Sequence, residues 1–305
     1  MKRFSIVGTG RLGTALAAGL TRKGWELAVI ADRDPAAARE ARKIVGRGRA
    51  SADVRRAAAC GAGVVFLCVP DDAVAAAARG LARSRTDWSG RIVFHTSGLL
   101  PAAALEPLRR KGARAASLHP ARSFPEKKSG AGLFRGILWA VEGDREAVRL
   151  GREIVRTLGG RAFVLREEDK PLYHAACSLA SNAFVALEAA SAALLEAAGI
   201  SRRSAADVLL PLVQGTLQNV KKLGWEKSLT GPVARGDVRT VRRHLEALAS
   251  RPLEDEIYRS LGKQALKLAA RGKIPAQRIR ALRRMLEGRR LLPPAARRTS
   301  RRRVP

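Results

Sequence analysis

The residues Gly8-Thr9-Gly10-Arg11-Leu12-Gly13 form the densest chemical signal in the chain. They stand between a short apolar run at 4–7 and an apolar helical pattern through Ala15, Leu16, Ala18 and Leu20, so the spacing predicts strand, tight turn and helix. In that setting each glycine has a task. Gly8 permits the turn, Gly10 lets backbone approach a pyrophosphate, and Gly13 lets the helix pack on the strand while the helix N-terminus faces the phosphates. A ligand-free glycine turn is the alternative, and the strand-to-helix context favours dinucleotide binding. Asp32 stands about 20 positions further on, where an acidic residue is expected. Its carboxylate would take ribose hydroxyls and favour NAD. Arg33 beside it would pair with the 2′-phosphate of NADP, and the general positive charge tilts the reading to NADP.

Three further segments end apolar runs. Val69-Pro70, His95-Thr96-Ser97-Gly98 and Ser117-Leu118-His119-Pro120 fall at carboxyl ends of expected strands, where ligands bind in open α/β sheets. The first two are expected to line the cofactor and His119 the substrate. For a single histidine, a capping or core role is the competing reading. Further on, Lys170 stands at the entrance of a helix whose first position suits Pro171. His174, Ser178 and Asn182 recur at four-residue intervals on that Ala- and Leu-rich helix, with Ser181 beside them, and so share a polar face. Such a stripe needs partners, which a ligand cleft between domains, solvent or a neighbouring helix would supply. A proton donor at Lys170 or His174 is the chemistry these types allow: histidine titrates in the useful range, and lysine would have to be shifted. In Leu229-Thr230-Gly231-Pro232-Val233-Ala234-Arg235-Gly236-Asp237, Asp237 can cap a helix and Arg235 could meet an anionic substrate group or simply face water.

The elements that must position these residues follow from pattern. Strands are expected at 4–7, 25–31, 63–69, 91–94, 115–118, 136–141 and 161–165, with helices at 35–44, 73–82, 101–111 and 145–158 between them. Alternation of this kind predicts an α/β fold: a doubly wound, mainly parallel sheet. After residue 165 only helices are expected, at 171–198, 204–222, 237–249, 252–271 and 275–288, giving an all-α second domain. The expected division is 1–166 for nucleotide binding, 167–288 for substrate and dimerisation, and a basic disordered tail at 289–305.

Composition narrows the classes. The net charge of +31 would suit nucleic acid, but arginines are spread through almost every segment, which argues against one dedicated nucleic-acid face and leaves a small anionic ligand to profit from the field. Cys60, Cys68 and Cys177 are too few and too separated for a disulfide framework or zinc site, and no metal is expected. With no stretch reaching roughly 20 apolar residues free of charge, a cytoplasmic protein without membrane contact is expected.

Taken together, the 8–13 turn, His95-Thr96-Ser97-Gly98, His119-Pro120, Tyr173-His174 with Ser181-Asn182, and Thr230-Gly231-Pro232 with Arg235-Gly236-Asp237 resemble the bacterial Rossmann-like proteins whose helical half is numbered 2520 among domains of unknown function. The likeness runs from residue 4 to about residue 288. It implies kinship with pyrroline-5-carboxylate reductase, the 6-phosphogluconate and β-hydroxyacid dehydrogenases and ketopantoate reductase, with a C-terminal half of the 6-phosphogluconate dehydrogenase type that dimerises. In the hydroxyacid and ketopantoate enzymes a lysine at the start of the first long helix of that half transfers a proton, and an asparagine follows four residues later. Lys170 holds the lysine's place here, His174 stands where the asparagine would, and the asparagine comes only at Asn182. The resemblance implies an NAD(P)-dependent oxidoreductase moving hydride to or from a small carbonyl or imine, with a 2-oxo acid such as ketopantoate first by analogy. On this reading Lys170 or His174 gives the proton, while Ser178, Ser181 and Asn182 orient the polar group. A non-catalytic NAD(P)-binding sensor or interaction protein is the alternative.

Overall fold

The structure, a computed structural model, describes residues 2–127, 132–272 and 274–288. Eight strands, β1 (Arg3–Val7), β2 (Glu26–Ala31), β3 (Arg49–Ser51), β4 (Val64–Leu67), β5 (Ile92–His95), β6 (Arg114–Pro120), β7 (Leu138–Gly143) and β8 (Arg161–Val164), form one sheet. Their order is β3-β2-β1-β4-β5-β6-β7-β8, parallel throughout except where β7 runs against β6. The chain winds outward in both directions from the β1–β4 pair, so the crevice of this doubly wound sheet opens at the carboxyl ends of those two strands.

Hydrophobic pattern explains the layering. β4 reads Val-Val-Phe-Leu with every residue buried, as a parallel strand covered on both faces must. One face gathers Phe4, Phe66, Phe94 and Trp139, with Phe66 and Phe94 stacked at 5.2 Å; the other gathers Val65, Leu67, Trp88 and Val93. The covering helices are α1 (Arg11–Arg22), α2 (Pro35–Val45), α3 (Arg56–Ala59), α4 (Asp71–Ala82), α5 (Glu106–Arg109) and α6 (Arg145–Thr157). α2 carries its own start and stop: Asp34 accepts the Ala36 amide at 2.8 Å, Pro35 takes the first position, and Gly46 closes the helix at φ 79°.

Three details depart from the sequence expectations. The strand β3 was not expected, because three residues are too short to show alternation. The single helix expected at 101–111 is a 3₁₀ turn, Ala102–Leu105, followed by the short α5, since Pro107 offers no amide to a ladder from the preceding turn. The uninterrupted helix expected at 171–198 is α7 (Lys170–Ser178), a π turn at Leu179–Ala183 and α8 (Phe184–Ala197). Ser181 and Asn182 therefore stand in a wide i→i+5 turn, a feature that is rare and concentrated at functional sites.

The chain divides into two compact units within that turn, after Ser181. The first unit thus reaches past the expected boundary at 166, because α7 is fastened to the ends of β5 and β6 through Lys170 and Tyr173. The second unit contains α8, α9 (Arg202–Ser228, broken at Gly224), α10 (Gly231–Ala234), α11 (Val238–Ala247), α12 (Pro252–Ala269) and α13 (Ala276–Glu287). Its core is Val233, Val241, Leu245, Leu266, Leu282 and Leu286. Arg259 clamps that unit: its Nε donates to both oxygens of buried Asp255, while Nη1 donates to the Met285 and Gly288 carbonyls at the end of α13. Asp237 caps α11 by accepting the Thr240 amide at 3.0 Å.

By length and composition alone, Glu167–Ala197 is long and apolar enough to cross a membrane, although Glu188 and Glu196 interrupt it, so that the expectation of no stretch of roughly 20 residues free of charge still holds. The expected tail at 289–305 lies outside the described residues.

Candidate functional site

The turn after β1 is built as its glycines require. Gly8 has φ +96°, and a Cβ there would stand 2.4 Å from the Cys68 carbonyl oxygen; at Gly13 it would stand 2.1 Å from the Gly8 oxygen. A side chain at either position would push the turn off β4 or the helix off the turn. Gly10 differs. It caps α1 with no side-chain hydrogen bond, and a Cβ there would meet nothing within 4 Å. Thr14 is the first residue to bond back into the helix, at 3.0 Å to Gly10, so the amides before it are free for an anion. Arg11, exposed, opens the helix, and Leu12 packs on the core below.

Asp32 closes the turn from the end of β2. One carboxylate oxygen accepts both the Thr9 amide and the Thr9 hydroxyl at 2.8 Å, and the other accepts the Asp34 amide at 3.1 Å. Burial opposes its charge, but these hydrogen bonds and the nearby Lys127 outweigh it and hold the carboxyl below its ordinary range. Around this turn lies a cavity of about 380 Å³ lined by Gly8, Gly10, Asp32, Arg33, Val69 and Pro70, with alanines of α4 as its wall. Cys68 borders it. Burial pushes that thiol up to about 12, so it stays protonated and acts as packing.

These features fit a dinucleotide: open space at Gly10, unpaired amides, a ribose-height carboxylate and a cation beside it. Which residues would hold it follows directly: the backbone of Gly8–Gly13 would face the pyrophosphate, and Asp32 and Arg33 the adenosine ribose.

At the ends of β5 and β6 a second group of side chains converges. His95 is fully buried; its Nε2 donates to the Pro101 carbonyl at 3.0 Å and its Nδ1 accepts the Ser97 amide at 3.2 Å. Both ring nitrogens are thereby used in shaping the 95–101 turn, and burial lowers the ring's pKa to about 4, so it is neutral. Ser97 Oγ accepts the Leu99 and Leu100 amides at 3.1 and 2.9 Å. Thr96 hydrogen-bonds the Cys68 thiol.

Lys170 begins α7 only 1% exposed. Its ammonium donates to Ser117 Oγ at 2.7 Å and to the Ser97 carbonyl at 3.4 Å, and Ser117 in turn donates to that carbonyl at 3.1 Å. Burial lowers its pKa, opposed by Glu142 and Asp71. Glu142, on β7, is itself raised by burial and accepts the Ala102 amide at 2.8 Å. One turn of helix further, the Tyr173 hydroxyl lies 2.8 Å from His119 Nδ1, and the His119 and His174 rings meet edge to face at 5.9 Å. Burial, then repulsion from His174 and Lys170, pushes His119 down to about 4. Burial, then Cys177, pushes the Tyr173 hydroxyl up. His119 and Tyr173 are therefore neutral at pH 7, and His119, Tyr173 and His174 are all half-buried.

The first unit thus brings together Lys170, His174, His119, His95, Ser97 and Gly98. Ser178 and Ser181 follow on the same chain segment without side-chain hydrogen bonds among the described residues. Asn182 and Arg235 belong to the second unit, where Arg235 is exposed at the end of α10. Tyr173, Ser117 and Glu142 were not among the expected site residues. Tyr173 and Ser117 were visible as neighbours of Lys170 and His119 in sequence, whereas nothing in the sequence marks Glu142. Among the described residues no group of three or more His, Cys, Asp or Glu is placed to hold a metal ion.

Comparison with known proteins adds a family context. Residues 2–120 match the Rossmann-like domain family, and residues 137–265 match the family described as Domain of unknown function (DUF2520). No curated protein matches the sequence. Among solved structures, the chain is similar to a candidate NADP oxidoreductase from Bacteroides fragilis, at 24% identity over 87% of this chain and 98% of that one, TM-score 0.71. A Thermotoga maritima protein gives 27% over 88% and 98%, TM-score 0.66. The Plasmodium falciparum pyrroline carboxylate reductase, solved with NADP bound, gives 14% over 92% and 98%, TM-score 0.59.

Proposed function

We propose that this chain, which joins a Rossmann-like domain to a DUF2520 domain, is an NAD(P)-dependent oxidoreductase acting on a small carbonyl or imine compound. The observation that carries the reading is the open cradle at Gly10, where free amides of α1 face a cavity of about 380 Å³ at the switch point of the sheet. A bound nicotinamide cofactor would supply or accept the hydride. The protein's residues would do the rest. His174, whose ring meets His119 edge to face, is the proton donor in this reading. His119 and Tyr173, both neutral, orient the acceptor atom. Lys170 is too buried to touch substrate; its charge acts through space and, with His174, favours a substrate carrying an anionic group. The similar structure named for pyrroline carboxylate puts cyclic imines beside 2-oxo acids such as ketopantoate at the head of a substrate panel.

NADP is the preferred cofactor in this reading, because Arg33 lines the cavity without an ion pair among the described residues, while three of the roughly four acceptor positions on Asp32 are already taken. The protein is cytosolic and homodimeric on the same reading. In a chain of net charge +31, no Lys or Arg stands between Lys170 and Arg202, no residue of α8 is buried, and Val185, Leu212 and Trp225 are exposed on α8 and α9. A second copy could approach α8 with less cation repulsion than elsewhere on the chain.

The test measures affinity for NADPH and NADH side by side, then follows NADPH consumption across cyclic imines and oxo acids. Tighter NADPH binding and turnover that falls at least about a hundredfold in His174→Ala support the proposal. Binding without turnover on any member points to the sensor reading, and no binding removes both.

A further inference from the structure

Gly98 follows His95-Thr96-Ser97 in the turn after β5. It is not among the glycines with positive φ, so its backbone is open to any L-residue. Space is what constrains it. A Cβ at this position would stand 2.6 Å from Cδ2 of His174, 2.9 Å from Nε2 of His119 and 3.0 Å from its Cε1. Neither ring is free to yield. His119 stands on β6 and is held by the Tyr173 hydroxyl, and His174 is one helical turn from the buried anchor Lys170. The rings touch edge to face across the glycine.

We infer that Gly98 is a positioning residue: its missing side chain lets His119 and His174 close on each other, making one proton-handling pair. Two imidazoles this close titrate as a unit, since charging one disfavours charging the other. Lys170 on α7 and His95 on β5 face the same pair, and Tyr173 links it to Cys177. Lys170 adds to the repulsion, so the second proton is refused well into the acid range. The use of this pair in catalysis rests on the oxidoreductase reading; the pairing itself rests only on the packing around Gly98.

The chain has four histidines, so their ring signals can be followed individually by NMR. Titrations and thermal melts would be compared for the full-length protein, Gly98→Ala, His174→Ala and the double variant. The pair predicts that Gly98→Ala raises the His119 midpoint by about half a pH unit or more. It also predicts that Gly98→Ala lowers Tm, and that His174→Ala, by making room, removes at least about half of that loss. If Gly98→Ala fails to fold, recovery of folding in the double variant supports the pair equally. An unchanged His119 midpoint, strictly additive melts, or a double variant that also fails to fold would overturn the inference. NADPH affinity, measured on the same samples, separates this result from the cofactor reading: the titration decides the pair even where no nucleotide binds.

Discussion

Lys170 shows how far residue identity alone falls short of residue role. Lysine at the entrance of a helix suggested a proton donor, but the side chain turns inward and spends its donors on Ser117 and the Ser97 carbonyl. That carbonyl keeps the Ser117 hydroxyl as a partner without the lysine. Lys170→Met, of similar volume, should therefore cost less than about 1 kcal/mol in urea unfolding, because a buried charge without a close carboxylate partner gains little from being there. The same variant should raise the His119 midpoint by relieving repulsion, a shift NMR would report. Two buried histidines also predict acid lability. His95 and His119 have folded pKa values of about 4 against 6.5 unfolded, so between those values the unfolded chain binds more protons and stability falls as pH falls. The loss reaches at most about 3 kcal/mol for each. Urea midpoints should be level above pH 7 and drop steadily from pH 6.5 to 4.5; a flat profile there would show that both rings charge freely. The glycines at 8–13 were legible because backbone geometry and close packing admit no other residue. The direction of Lys170, and the meeting of Tyr173 with His119, depend on contacts between residues more than fifty positions apart that leave no periodic trace.

At the scale of elements, hydrophobic runs located seven of the eight strands, since buried parallel strands are nearly continuous in Val, Ile, Leu and Phe. β3 escaped because its three residues, Arg49–Ser51, carry neither alternation nor an apolar run. The π turn at Leu179–Ala183 escaped for a different reason: a wide turn inside an Ala- and Leu-rich segment keeps helical composition and differs only in its ladder. In the second unit, the Asp255–Arg259 pair joins α12 to the end of α13. Arg259→Ala would leave Asp255 buried without a partner and should cost about 3–5 kcal/mol. Limited proteolysis should then cut between α12 and α13 while NADPH affinity at the 8–13 turn stays within about twofold, as expected of uncoupled sites in separate units. Equal loss of affinity would tie that clamp to the cofactor site.

For the whole molecule, charge and apolar surface make opposite demands. A net charge of +31 repels second copies, yet the longest stretch free of Lys and Arg leads into α8, where nothing is buried. Val185→Glu combined with Leu212→Glu should convert a dimer to a monomer in analytical ultracentrifugation; a wild-type protein that sediments as a monomer at micromolar concentration would refute the dimer. The central claim is more directly tested at Gly10. Its φ of −62° suits any residue, and a side chain there enters open space, so Gly10→Val should fold as the parent does and obstruct only what occupies the cradle. NADPH titrated into parent and variant, followed by nicotinamide fluorescence, is the measurement. The account predicts saturable binding to the parent and at least about a tenfold weaker Kd for Gly10→Val at unchanged Tm, the loss expected from displacing phosphate contacts at a helix N-terminus. Absence of saturable binding to the parent, or equal binding to both, would contradict it.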